Sequence, residues 1–387
     1  MTATIDILER LVAFNTVSRE SNLDLIRWVQ ERLEAAGVAT WLVPSDDGRK
    51  ANLFATLGPA DRPGVLLSGH SDVVPVEGQA WTSDPFRLTR RDGKLFGRGT
   101  ADMKGFIAAA LALFDRAAGQ QAAGRSLLQP LHLALSYDEE VGCLGVRRLI
   151  EMMAALPVRP RFCIVGEPTG MQVVTAHKGK TALRAECHGV ECHSSLAPQG
   201  LNAIHMASDL LTGLRRIQNQ LREDGAQDDA YDVPWTTIHA GVIQGGEALN
   251  IVPNRCRLDF EIRHLPQDPV GPLLDSIQAE ADAIVRRLRA DFPAAGLTVA
   301  ELSSYPALDT DSTAEVVAFV KALTGGNSTG KISFGTEGGL FQQRLSMPTV
   351  VCGPGSIGEA HKPDEFIAED QLAACDRMLD ALLARLA

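Results

Sequence analysis

Up to Lys178 the apolar residues come in short runs: ATWLVP, NLFATL, GVLLSG, LHLALSY and RFCIVG, each bounded by Gly, Pro or polar residues. Runs of this length and composition predict strands. Between them the spacing turns helical. Leu25, Ile26, Val29 and Leu33 form one apolar stripe, opened by a Ser21 or Asn22 cap and closed by Gly37, and Phe106, Ile107, Ala110, Leu111 and Phe114 form another. The N-terminal MTATIDILERLVAF reads as an amphipathic helix. Strands interleaved with helices predict a mostly parallel sheet flanked by helices, an α/β domain.

Beyond Lys178 the pattern changes. TALRAECHGVE, TTIHAGVIQGG, RCRLDFEIRHLP and LTVAELSSYPAL alternate polar and apolar positions, as in a sheet with one wet face, and two helical segments, Asn202 to Arg222 and Pro269 to Arg289, lie among them. This is an α+β insert. After about Ala307 the first pattern returns: a helix around Ala314 to Leu323, strands KISF and MPTVVC, and a last amphipathic helix to Ala387. The expected organisation is a catalytic domain in two segments, 1–178 and 308–387, interrupted by an inserted domain at 179–307.

Composition narrows the function. The chain has 387 residues, 45% hydrophobic and 22% charged, enough for two cores. With 37 basic against 48 acidic residues the net charge is −11 and no Lys/Arg run occurs, which argues against nucleic acid. No apolar stretch approaches the roughly 18 residues that span a bilayer, and the N-terminus lacks an export signal's basic and apolar regions. Seven scattered cysteines without a CxxC pair fit reduced thiols in the cytoplasm.

In open α/β sheets, ligands bind beyond the carboxyl ends of the strands. GVLLSG leads to His70 and Asp72, LHLALSY to Asp138, Glu139 and Glu140, RFCIVG to Glu167, and MPTVVC to a Gly/Pro loop reaching His361; Asp102 stands where a helix should start after GRGTA. So many carboxylates in one crevice need cations to neutralise them. Imidazole and carboxylate without thiolate suit Zn²⁺, Co²⁺ or Mn²⁺, and two ions sharing a carboxylate fit the count.

"GHSDVVP", "GRGTADMKG", "DEEVG", "GEPT" and "HKPDE", in this order, are similar to the motifs of the M20 family of co-catalytic dizinc peptidases and deacylases. The resemblance implies two divalent ions, Zn²⁺ or Co²⁺. His70 and Glu167 would ligate one, Glu140 and His361 the other, and Asp102 would bridge them. Asp72 would hydrogen-bond the His70 ring and fix its tautomer. Glu139 would be the general base that takes a proton from the attacking water and returns it to the leaving amine. Residues adjacent on an extended segment point to opposite sides, so Glu139 and Glu140 can share a site only if the chain bends there.

Within the insert, "CHSSLAPQGLNAI" resembles the family's lid and dimerisation segment, so His193 would stabilise the oxyanion in a partner's site and a homodimer would be needed. "ALNIVPNRCRLDFEIR" resembles the lid strand that contacts substrate, which nominates Asn250 and Arg263, the latter for the substrate carboxylate. The segments "SFGTEGGLFQ" and "PTVVCGPGSIGEAHKPDEF" are most similar to the branch that deacetylates N2-acetyl-L-ornithine during arginine synthesis, with Gly339 standing where that branch has Ala. Glu337 is then a candidate contact for the substrate ammonium, or else a support of the loop. Branches acting on succinyl-diaminopimelate, acyl-glutamates or other acyl amino acids share the metal motifs and are the alternative.

Two further patterns compete. "GPGSIG" matches a dinucleotide fingerprint, but Pro354 and Pro363 argue against the helix that should receive a pyrophosphate. "GNSTG" matches a nucleophile elbow yet precedes a strand, so Ser328 reads as a turn residue. His177 stays undecided.

Overall fold

The computed structural model describes residues 1–387. The chain folds into two compact units: Met1–Ala176 with Leu308–Lys331 and Thr336–Ala387, and His177–Ala307 with Ile332–Gly335. The first segment of the first unit therefore ends at Ala176, and residues 332–335, expected within the second catalytic segment, group with the second unit.

In the first unit the strands lie in the order Ala39–Pro44, Ala51–Leu57, Leu131–Ser136, Val65–His70, Phe162–Pro168, Thr349–Gly353, Val173–His177 and Leu308–Asp309. The middle of the sheet is parallel, from Leu131–Ser136 to Thr349–Gly353. The first two strands run antiparallel to each other, and the second is also antiparallel to Leu131–Ser136, so the sheet is mixed at that edge. Burial follows from this placement: Val65–His70, Leu131–Ser136 and Phe162–Pro168 are buried throughout, whereas the edge strand Ala39–Pro44 is mostly exposed.

The helix Gly105–Ala122 is buried on nearly every side from Gly105 to Phe114, and its run of alanines lets it lie close to the sheet. Gly166 is the counterpart on the strand: a Cβ there would fall 2.0 Å from the Phe106 ring. The final helix, Glu369–Leu386, buries Leu372, Cys375, Leu379, Leu382 and Leu386 at helical spacing, with Glu369 and Asp370 in its first turn. Asp102 does not open the helix as expected. It sits in an irregular turn, Thr100–Lys104, with extended φ and ψ of −123° and 95°, and the regular helix starts at Gly105.

A small antiparallel sheet joins Thr89–Arg91, Lys94–Phe96 and Phe366–Ala368. It places the GRGTAD segment beside the HKPDE segment.

In the second unit, Gly179–His188, Thr237–Gly245, Arg255–His264 and Gly296–Tyr305 form a four-stranded antiparallel sheet. The helices Ala203–Asp224 and Val270–Arg289 share a core with its apolar face, including Leu183, Leu210, Phe260 and Ile284. The alternation along Arg255–His264 is regular, each second residue being buried.

Candidate metal centre

His70 is the last residue of Val65–His70, and Glu167 lies near the end of the parallel strand Phe162–Pro168. Asp102 comes to both from its irregular turn. Its two carboxylate oxygens face different imidazoles: Oδ1 lies 2.9 Å from His70 Nε2, and Oδ2 lies 3.3 Å from His361 Nε2. Glu167 is 3.7 Å from His70 Nε2, and Glu140 is 3.1 Å from His361 Nε2. Two ligand groups result, His70–Asp102–Glu167 and Asp102–Glu140–His361, in each of which the ligand atoms lie within 4.8 Å of one another.

The bend that brings Glu139 and Glu140 to one site has a visible cause. Asp138 takes a left-handed φ of 57°, which Asp tolerates better than most residues, and its carboxylate pairs with Lys50 at 2.5 Å. The turn closes through Cys143 N–H donating to the Glu139 carbonyl at 2.8 Å and Leu144 N–H to that of Asp138 at 3.0 Å. Asp72 supplies the rest. Its Oδ1 accepts from the Glu139 N–H at 3.1 Å, and its Oδ2 accepts from the Glu140 N–H at 3.3 Å and from the Ser18 hydroxyl at 2.7 Å.

This corrects the role read for Asp72 from sequence. The His70 ring is held by the Asp72 main-chain carbonyl, 2.9 Å from Nδ1, while the carboxylate is 3.7 Å away. A carbonyl only accepts, so Nδ1 carries a hydrogen and Nε2 is the nitrogen that faces the centre, where its lone pair would be free for a cation. Ser18 and Cys143, whose Sγ lies 3.4 Å from Glu139 Oε1, were not singled out from sequence. Cys143 was findable, lying four residues past Glu139 on the returning arm of the turn, whereas nothing near Ser18 pointed to it.

Burial pushes the Glu139 and Glu167 carboxyls well above the usual range and Glu140 up to about 7, neighbouring carboxylates adding to the effect. Asp102 is buried as well, yet hydrogen bonds from His361 and His70 hold its carboxyl below that range. His361 is raised to about 10 by its bonds to Asp102 and Glu140. In His70 burial opposes the charge, but Glu167 and Asp102 outweigh it and raise the ring. Protons thus take the place that cations would fill.

The residues fit divalent cations on two grounds. Imidazole nitrogens and carboxylate oxygens converge without thiolate, and Glu140 Oε1 is buried with no hydrogen-bond partner. His70, Asp102 and Glu167 would hold one ion and Asp102, Glu140 and His361 the other.

Glu337, at the start of the helix Gly338–Leu345, is 1% exposed and Oε1 makes no hydrogen bond. Burial pushes it up to about 7, partly offset by the hydroxyls of Ser136 and Ser68.

The remaining candidates belong to the second unit. His193 is exposed, with Nδ1 accepting from the Ser195 N–H at 3.2 Å, and the Asn250 carbonyl accepts from the neighbouring Ser194 N–H at 2.9 Å, so His193 and Asn250 lie together. Arg263 is elsewhere, donating to Glu261 at 2.9 Å and to the Tyr305 hydroxyl at 3.0 Å near the far end of Arg255–His264. His177 is buried and held neutral, its pKa lowered to about 4 by burial, with Nε2 lacking a hydrogen bond.

A shared carboxylate between two imidazole–carboxylate groups, at the carboxyl ends of parallel strands with a further acid beside it, defines a metal-dependent hydrolase centre. The family model for peptidase family M20/M25/M40 matches residues 66–385. An acetylornithine deacetylase of Myxococcus xanthus is 39% identical over 97% of this chain and 96% of its own length, and one of Pasteurella multocida is 34% identical over 95% and 92%. Among solved structures, an M20 family metallo-carboxypeptidase of Sulfolobus solfataricus superposes with a TM-score of 0.78 at 18% identity, covering 99% of each chain. The chain belongs to peptidase family M20/M25/M40, and with it to the metal-dependent amidohydrolases.

Proposed function

We propose that the chain hydrolyses N2-acetyl-L-ornithine to acetate and L-ornithine, a step toward arginine. The observation that carries the hydrolytic reading is Asp102, whose two oxygens face His70 and His361 with Glu139 alongside. The substrate reading rests on relatives of that name that match almost end to end.

Two divalent ions, Zn²⁺ or Co²⁺, would supply Lewis acidity for the amide carbonyl and acidify the water that attacks it. The chain's own residues do the rest. Glu139 takes the proton of that water and returns it to the leaving amine, and its position one residue before Glu140 keeps it at the centre without being a ligand. Asp72 holds the turn that presents both. His193 donates to the oxyanion as the carbonyl becomes tetrahedral, Asn250 lies beside it, and Arg263 pairs with the substrate carboxylate.

The second unit acts as lid and dimerisation domain. Arg255 and Arg263 are eight residues apart on one strand, roughly 27 Å at about 3.4 Å per residue, and His193 and Asn250 lie beyond the Arg255 end. One subunit cannot bring both ends of a rigid strand to one small molecule. A homodimer in which His193 and Asn250 serve the partner's site resolves this. The seven free cysteines support a cytoplasmic setting, and no helix is long and apolar enough to cross a membrane.

The test is a set of initial rates, with Zn²⁺ or Co²⁺ added, on N2-acetyl-L-ornithine, acetyl-methionine, succinyl-diaminopimelate and an acyl-glutamate. A kcat/KM preference for acetylornithine that chelation abolishes is expected; preference for another member would reassign the substrate and leave the centre standing. Glu139→Gln should keep both ions and lose roughly 10²- to 10⁴-fold in turnover.

A further inference from the structure

One buried ion pair joins segments far apart in sequence. Arg98 and Glu365 are each about 1% exposed in their side chains, and Arg98 Nη1 donates to Glu365 Oε2 at 2.6 Å. The small sheet sets up the meeting: Phe366 pairs with Phe96, and one step further the Gly97 N–H donates to the Glu365 carbonyl at 2.9 Å.

Each end of the pair grips a ligand-bearing segment. Glu365 Oε1 accepts from the N–H groups of Ala101 at 2.9 Å and Asp102 at 3.2 Å. Asp102 is outside any regular helix, so no helical carbonyl is there to take its N–H, and Glu365 provides the acceptor. Arg98 donates to the Lys362 carbonyl at 3.3 Å, to the Gln79 Oε1 at 2.5 Å and to the Pro75 carbonyl at 3.4 Å. Gln79 in turn donates to the His361 carbonyl at 3.0 Å, and Asp364 caps Thr82 through its N–H at 2.9 Å and hydroxyl at 3.0 Å.

His361 needs this support. It sits at a left-handed φ of 62° in a loop with its side chain 49% exposed, whereas His70 and Glu167 are fixed by buried strands. We propose that Arg98 and Glu365 are positioning residues of the metal centre, a clamp that sets the distance from Asp102 to His361 and so governs the ligand group Asp102–Glu140–His361 more than the group His70–Asp102–Glu167. This rests on the reading that the two groups hold two divalent ions.

The test uses the full-length chain stripped of metal and titrated with Zn²⁺ against a chromophoric chelator, with apo-protein melting measured in parallel. His361→Ala is the reference for loss of the second group. Arg98→Met and Glu365→Gln should keep the fold and weaken the second Zn²⁺ equivalent by roughly 10- to 100-fold while shifting the first less, as in the reference. Gln79→Ala, at a partly exposed position, should weaken the second equivalent in the same direction and lower the apo melting temperature less than either buried variant does.

Two wild-type equivalents in Arg98→Met and Glu365→Gln would overturn the clamp, and so would an equal fall in both equivalents, since that is general loosening. If either buried variant fails to fold, Gln79→Ala decides, and an unchanged second equivalent there overturns the proposal. A wild-type chain taking up only one equivalent would refute the two-ion reading itself.

Discussion

Asp72→Asn separates two accounts of one residue. If the carboxylate's work is to hold the Glu139–Glu140 turn, the substitution keeps shape but replaces one acceptor oxygen with an NH2 group. With the amide oxygen placed to accept from the Glu139 N–H, the NH2 faces the Glu140 N–H, a donor against a donor. One charge-assisted bond from a main-chain N–H, about 1.5–3 kcal/mol, is lost, the other falls toward a neutral bond of about 0.5–1.5 kcal/mol, and the Ser18 hydroxyl can turn to accept from the NH2 group. A total near 3 kcal/mol corresponds to roughly 100-fold if the turn must be held in the transition state. Steady-state kinetics at saturating metal should show this mainly in kcat, with weaker binding of the ion held by Glu140. The His70 carbonyl contact is untouched, so the ion held by His70 should stay. Loss of that ion with the other retained would refute the reasoning and restore the carboxylate as the support of the ring.

Four further outcomes follow from the geometry. Metal affinity should fall with falling pH, roughly tenfold per unit for each proton displaced, because His361 holds its proton up to about 10 without a cation; calorimetry in buffers of different ionisation enthalpy counts the protons. In the metal-free chain the same ring, its pKa raised by folding, stabilises the fold fully below about pH 6.5 and this fades as pH rises toward about 10, so apo melts should lose stability on that side. Mixing inactive His193→Ala and Glu139→Gln subunits should restore about a quarter of wild-type activity, since half of the dimers are mixed and one of two sites in each is whole; no recovery after confirmed exchange would place His193 in its own subunit's site. Gly166→Ala should cost at least about 1–3 kcal/mol in denaturant titrations, its methyl being driven into the Phe106 ring beside Glu167.

Short apolar runs ending in His or acidic residues were enough to place His70 and Glu167 at strand ends, and alternation was enough for the four-stranded insert, because both signals depend on residues within one element. The same local character hid the antiparallel pairing of Ala39–Pro44 with Ala51–Leu57, since a buried strand reads alike whichever way its neighbour runs. It also hid the placement of residues 332–335 with the second unit.

What only the tertiary structure decided is how side chains meet across distant segments. Glu139 and Glu140 face one centre because a carboxylate 67 residues earlier accepts their N–H groups, and Asp102 is held by a carboxylate 263 residues later. Arg98 and Glu365 stand inside quoted motifs, yet no spacing within either segment shows that they pair. Ligand chemistry belongs to residue type and can be read in order along the chain. Distances between ligands belong to sheet register and buried hydrogen bonds, which exist only once the chain has closed on itself.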